Sequence, residues 1–202
     1  MKTHSILSLV AALAVLAFSA CDKDILPVGE TAEAYIDATS KTTWTYFSLT
    51  AGRVVGTGEE TEADNAAWAA RGDWDIAVCR YNVRTNSGQA SSIGSQGGTY
   101  VASESFEALT RVPKDASFAV DGLVTASGMG GTTSVVHSVA TVITFMTKED
   151  GSKVMPPVYL KAPVYIFRSA DGTKYYKVEF TQYQDENKVT GHVKFNYASL
   201  AR

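Results

Sequence analysis

Apolar side chains recur at every second position through most of the chain, and that spacing rules out a helical bundle before anything else is considered. In YYKVEF, Tyr176, Val178 and Phe180 share one face of an extended backbone while Lys177 and Glu179 take the other. In GHVKFNY, Gly191, Val193, Phe195 and Tyr197 oppose His192, Lys194 and Asn196. Both stretches read as half-buried strands. Asp171-Gly172 and Asp185-Glu186-Asn187-Lys188 supply hairpin turns around them. Further strands are expected at TTWTYFSL, DWDIAVCRYNV, SFAVDGLV and the β-branched run SVVHSVATVITF. Helix-favouring composition is confined to EADNAAWAARGD, around Ala66 to Ala70. Long loops are expected at 85–99, 126–134 and 147–157. The fold class is therefore all-β, a mostly antiparallel single domain built as a sandwich or an irregular barrel.

The first twenty residues follow a different rule. Lys2 precedes an apolar run from Ile6 to Phe18, too short for the ~20 residues that span a bilayer, so it reads as an export signal. Phe18-Ser19-Ala20-Cys21 resembles a bacterial lipobox, whose cysteine is acylated and becomes the first mature residue. The division that follows is 1–20 signal peptide, 21–33 lipidated tether and 34–202 folded β domain. Each buried acyl methylene contributes about 0.8 kcal/mol, so a lipidated Cys21 holds the chain on a membrane by its anchor alone. Asp22-Lys23-Asp24 is similar to the charged tag of Bacteroidetes lipoproteins exported to the cell surface. That predicts a lipid-anchored, outer-membrane, surface-exposed protein, open to release. With Cys21 acylated, Cys79 is the one thiol left and reads as a small buried hydrophobe. The net charge of −3, with no basic run, predicts no nucleic-acid partner.

Catalytic templates are not met. Only His137 and His192 follow the signal segment, and no GxSxG, HExxH, CxxC or P-loop pattern occurs. Glu59 and Glu60 read as a solvated loop rather than a paired acid and base. No enzyme is expected.

The methionines carry more information. Met129 lies in SGMGGTT, where the flanking glycines build no core around it and let the backbone approach a ligand. An idle loop residue is the other reading. Met155 precedes Pro156-Pro157, which stiffen the segment that presents it. A thioether is a soft ligand, suited to copper(I) or haem iron rather than to magnesium or calcium.

From about Ile36 to Tyr197 the sequence resembles the HmuY-like haem-binding lipoproteins of Bacteroidetes. The resemblance is carried by TWTYFSL from Thr43, WDIAVCRYNVRTNSG from Trp74, Gly97-Gly98, VYIFRSADG from Val164 and YKVEFTQYQDENKVTG from Tyr176. It implies an all-β fold that grips one haem, iron protoporphyrin IX, between two projecting loop regions with an axial ligand from each. It also implies haem capture from host haemoproteins and transfer to a TonB-dependent outer-membrane receptor. The founding member uses two histidines and several relatives use methionines. Alignment places Met129 and Met155 at or beside the two ligand positions, a departure from the histidine pattern.

His137 and Met146 are the reserve ligands. His137 lies in phase with Val135 and Val139 on the β-branched run, where a packed histidine is the plainer reading. A simple hairpin loop at 148–151 sets Thr144 opposite Met155 and puts Met146 on the same side, a poor arrangement for gripping both faces of a flat macrocycle. The haem is then expected between the 126–134 and 152–160 loops, with Tyr159, Tyr165 and Tyr100 as aromatic walls. The rival reading is a surface lipoprotein sandwich that binds glycan or protein through exposed tryptophans such as Trp68.

Overall fold

The computed structural model describes Pro27, Gly29–Gly128 and Gly131–Arg202; Cys21 and Met129 lie outside these residues. Thirteen strands and one helix follow in chain order: β1 Thr31–Asp37, β2 Thr43–Ser48, β3 Arg53–Glu59, α1 Glu62–Ala69, β4 Ile76–Cys79, β5 Asn82–Thr85, β6 Gly98–Val101, β7 Gly122–Gly128, β8 Gly131–His137, β9 Ile143–Phe145, β10 Tyr159–Lys161, β11 Tyr165–Arg168, β12 Tyr175–Gln184 and β13 Thr190–Leu200.

All the strand pairs are antiparallel, as the alternation requires. One sheet has the order β1-β13-β12-β11-β6 and a second the order β3-β2-β4-β5; β7–β8 and β9–β10 form two-stranded units. The large sheets stack through the faces the alternation marks. Tyr176, Val178 and Phe180 of β12 and Val193, Phe195 and Tyr197 of β13 meet Phe47, Ile76 and Val78. The rings interlock edge to face, Phe47 on Phe195 at 5.3 Å and 80°, a geometry that adds to their area burial.

Neither sheet is half-buried throughout. The segment 102–118 folds over the outer face of the five-stranded sheet, seating Phe106 and Leu109 against Ile166, Tyr175 and Leu200. On the outer face of the second sheet α1 covers Trp44, Tyr46 and Trp74. Strand β4 is therefore buried at all four residues, and a continuous apolar run replaces the alternation there. Helix α1 starts where Thr61 accepts the Asp64 amide at 3.2 Å on its hydroxyl, a standard N-cap.

Several expectations change. Trp68 is 7% exposed and stacks on Tyr46 at 3.8 Å and 5°, so it offers no surface to a glycan. Glu60 is not in a solvated loop: it pairs with Arg84 at 3.1 Å and accepts from the Trp44 indole. The 85–99 loop is packed, with Asn86 donating to the Arg71 and Trp74 carbonyls at 2.8 and 3.1 Å. Residues 126–128 and 131–134 are the distal part of the β7–β8 hairpin, and the run 134–145 is two strands. The break falls at Ser138, whose hydroxyl donates to the Val83 carbonyl at 2.8 Å and turns the following residues into the core, where Ala140 is fully buried. Cys79 is buried as expected, and desolvation pushes its thiol up to about 11.

Candidate functional site

The β7–β8 hairpin pairs from Gly122↔His137 out to Gly128↔Gly131. One face of it carries Val124 and Ala126 opposite Val135 and Thr133, with His137 at the base, and this face forms one wall of a cleft of about 460 Å³. Tyr81, Ile143, Phe145 and Lys153 form the other wall. The volume falls in the range of small-molecule sites. The hairpin projects with Leu123 58% and Val124 41% exposed, apolar surface that gains from being covered.

Three attachments hold the hairpin at its root. Ser138 donates its amide to the Val83 carbonyl at 2.9 Å, Arg84 Nε donates to the Val136 carbonyl at 2.8 Å, and Asp121 is locked to β5. The Asp121 carboxylate accepts the Thr85 amide at 2.8 Å and the Ser87 hydroxyl at 3.2 Å, and also bonds the Thr85 hydroxyl. Burial outweighs these donors and pushes Asp121 up to about 7. A folded-state value above the ordinary 3.8 means this group stabilises the fold fully below pH ~4 and loses that contribution as pH rises through about 7. The urea midpoint is accordingly expected to be higher at pH 5 than at pH 8, with Asp121→Asn flattening the profile; an unchanged slope in that variant contradicts the assignment.

The four candidate ligands separate clearly. His137 lines the cleft, and its Nδ1 lies 2.7 Å from the Ser138 carbonyl. A carbonyl only accepts, so Nδ1 carries the proton and Nε2 is left as a free donor atom for a metal. Met146, 42% exposed, and Met155, 70% exposed, are not among the lining side chains. Met129 lies outside the described residues.

The expected pairing of Thr144 with Met155 does not occur. Thr144 faces Leu160, and Phe145 faces Tyr159, while nearer the turn Thr147 bridges Lys153. Met146 bonds both sides of the irregularity, donating to the Val158 carbonyl at 3.0 Å and accepting the Val154 amide at 2.9 Å. Residues 155–157 fall between these bonds. Pro156 and Pro157 have no N–H to give a ladder, so the segment leaves the hairpin and carries Met155 into solvent, with a cis Met155–Pro156 bond. Without that register Met146 is no longer tied to the face that carries Met155, and it stays a reserve ligand.

The aromatic walls also differ from expectation. Tyr165 is 2% exposed and packs in the central core, its hydroxyl accepting the Thr141 amide at 3.2 Å. Tyr100 packs with Phe118 beyond the opposite face of the sheet. Tyr159 lines a neighbouring groove, between Phe145 and Tyr183. Phe145 and Tyr81 take their place, in edge contact at 5.1 Å, with the Lys153 ammonium 3.9 Å from the Phe145 ring. The signals for these two were present at the end of the β-branched run and in the RYN that follows Cys79. Among the described residues no cluster of three or more histidine, cysteine or acidic side chains could hold a metal ion.

These features define a class: an all-β sandwich with a projecting hairpin that walls one side of an apolar cleft. Within that class the chain belongs to the HmuY protein family, whose model matches residues 40–197. An apo HmuY analogue of Tannerella forsythia is similar at 24% identity and a TM-score of 0.59, over 87% of this chain and 100% of that one. A Bacteroides vulgatus protein described as HmuY-like and haem-binding is 24% identical with a TM-score of 0.58, over 86% and 96% of the two chains. A Bacteroides fragilis protein described as a lipoprotein is 21% identical with a TM-score of 0.60, over 88% and 96%. At these identities the likeness is one of fold. No curated protein matches the chain.

Proposed function

We propose that this protein captures haem in the cleft between the β7–β8 hairpin and the 143–158 arm, while an acylated Cys21 holds it on the outer-membrane surface. The observation that carries the reading is the cleft itself: a largely apolar concavity between the hairpin and the 143–158 arm, with one candidate iron ligand, His137, on its lining. Burial of the porphyrin faces against Val124, Val135, Ile143 and Phe145 supplies most of the attraction. Lys153 at the wall offers a cation to a propionate. Met129, next to Gly128 in the sequence, and Met155, before Pro156-Pro157, are the proposed axial pair. His137, with Nε2 free on the cleft, favours a second reading in which it replaces Met129 as the ligand from the hairpin. Haem taken from host haemoproteins would pass to a TonB-dependent receptor.

The test is the visible spectrum of the protein with haemin, before and after dithionite. A shifted, sharpened Soret band is expected. A spectrum identical to free haemin in both states overturns the reading and returns the chain to the glycan or protein-binding alternative. Acylation has its own test: palmitate labelling that disappears in Cys21→Ser.

A further inference from the structure

A second pocket lies at the opposite end of the molecule from the cleft, and its lining is basic. Lys114, Arg168 and Arg202 surround about 280 Å³ floored by Val112, Phe118 and Tyr175. Two of the cations sit against rings, Arg168 at 5.3 Å from Phe118 and Arg202 at 5.8 Å from Tyr175. The Arg168 guanidinium has a single acceptor, the Gly97 carbonyl at 3.3 Å, and its Nε is buried with no partner. Arg111 lies alongside, bridged to Ala201. Among the described residues none of these four cations is in an ion pair. Three unpaired cations converging on one concavity are spent only when an anion enters.

The position of the pocket says where the anion comes from. Thr31 pairs with Ala198, and the Gly29 amide donates to the Ser199 carbonyl at 3.4 Å, so the polypeptide enters its first strand beside Arg202. Thr31 is ten residues from Cys21, a reach of at most about 36 Å. The haem cleft is at the other end: Arg80, next to Tyr81 of its wall, donates to the Thr190 carbonyl at 3.0 Å, and β13 runs from Thr190 to Leu200, about 33 Å. A chain anchored at Cys21 therefore enters the fold at the basic end, with the cleft at the far one.

We propose that Lys114, Arg168 and Arg202 bind the phosphate of an anionic lipid headgroup, seating the domain on the membrane with its haem cleft outward. The pocket stands without the anchor; its orientation toward lipid rests on the acylated Cys21 proposed above. Among the described residues every strand pair lies within 31–200, so a chain begun at residue 21 is expected to keep the fold, and Cys21→Ser in it removes any contribution of acylation. This protein is mixed with phosphatidylcholine vesicles with and without phosphatidylglycerol, and separately with sodium phosphate. Binding is expected to the phosphatidylglycerol vesicles alone, weakened about 30-fold by Lys114→Gln with Arg202→Gln, both at exposed positions. The remote pair Lys41→Gln with Lys148→Gln is expected to leave it unchanged. Equal loss in both pairs shows a diffuse charge effect and overturns the site. Absence of vesicle binding overturns it too, as does saturable phosphate binding without vesicle binding, which assigns the pocket to a soluble phosphate. Haem spectra are recorded on the same variants and are expected to be unaltered, so this result and the haem reading fail independently.

Discussion

Alanine at Met129 or at Met155 is expected to remove the six-coordinate ferrous haem spectrum, and the double variant to bind ferrous haem at least about 100-fold more weakly. Loss of a residue that merely orients a metal ligand already costs 10–100-fold, so loss of a ligand itself costs no less. The effect should be larger after reduction, because a thioether is a soft donor that favours iron(II) relative to two imidazoles. The pH dependence separates the candidates. A thioether takes no proton, so uptake at pH 5 is expected to match uptake at pH 7. Imidazole has an ordinary pKa of ~6.5 and would lose its hold on iron over that interval. His137→Ala should then leave the spectrum unaltered. An intact spectrum in both methionine variants, with its loss in His137→Ala, transfers the ligand to His137 and ends the methionine assignment. Met146→Ala tests the reserve ligand on the same arm: loss of the spectrum there with Met155→Ala intact moves the second ligand to Met146, since both side chains lie off the cleft lining.

The strands were legible wherever burial is one-sided or wherever a turn residue punctuates them. Alternation over 175–180 and 191–197 predicted the faces that meet in the core, and Asp171-Gly172 turns β11 into β12, with Gly172 at φ 75°. The distal part of the hairpin was not legible as strand. Gly128, Gly131, Thr132 and Thr133 have the composition of a loop, and what makes them strand is cross-strand pairing, which no local window contains. Glu60 and Trp68 were misread for one reason: a side chain in a short, weakly apolar stretch looks solvated until a partner distant in sequence is placed on it, as Tyr46 is on Trp68. Arg84, buried in β5, is that partner for Glu60. Met155 shows the limit of counting along a hairpin. The two prolines were visible, yet the four residues they shift the register by depend on Met146 bonding on both sides of the gap.

Arg84→Ala is expected to destabilise the protein by about 3–5 kcal/mol, the range for removing one partner of a buried pair. The side chain is 4% exposed. Its guanidinium donates to the Val136 carbonyl at 2.8 Å, Asn65 at 2.9 Å, Glu60 at 3.1 Å and the Tyr46 hydroxyl at 3.2 Å. Its carbon lies 4.0 Å over the Trp44 ring. Alanine leaves the Glu60 carboxylate facing an indole and an amide with no cation, and opens a cavity beneath α1. For a chain of this size the loss corresponds to a fall of about 6–20 °C in the melting temperature. Arg84→Met with Glu60→Met is expected to recover much of it, since a buried ion pair exchanged for apolar groups of similar volume is often neutral. The bond to Val136 adds a functional consequence: it is one of the attachments at the root of the hairpin, so Arg84→Met should weaken haem binding even where the double variant restores stability. A fall of less than about 1 kcal/mol in Arg84→Ala, measured by urea unfolding, places the network among ordinary surface pairs and removes the reason for coupling hairpin to core.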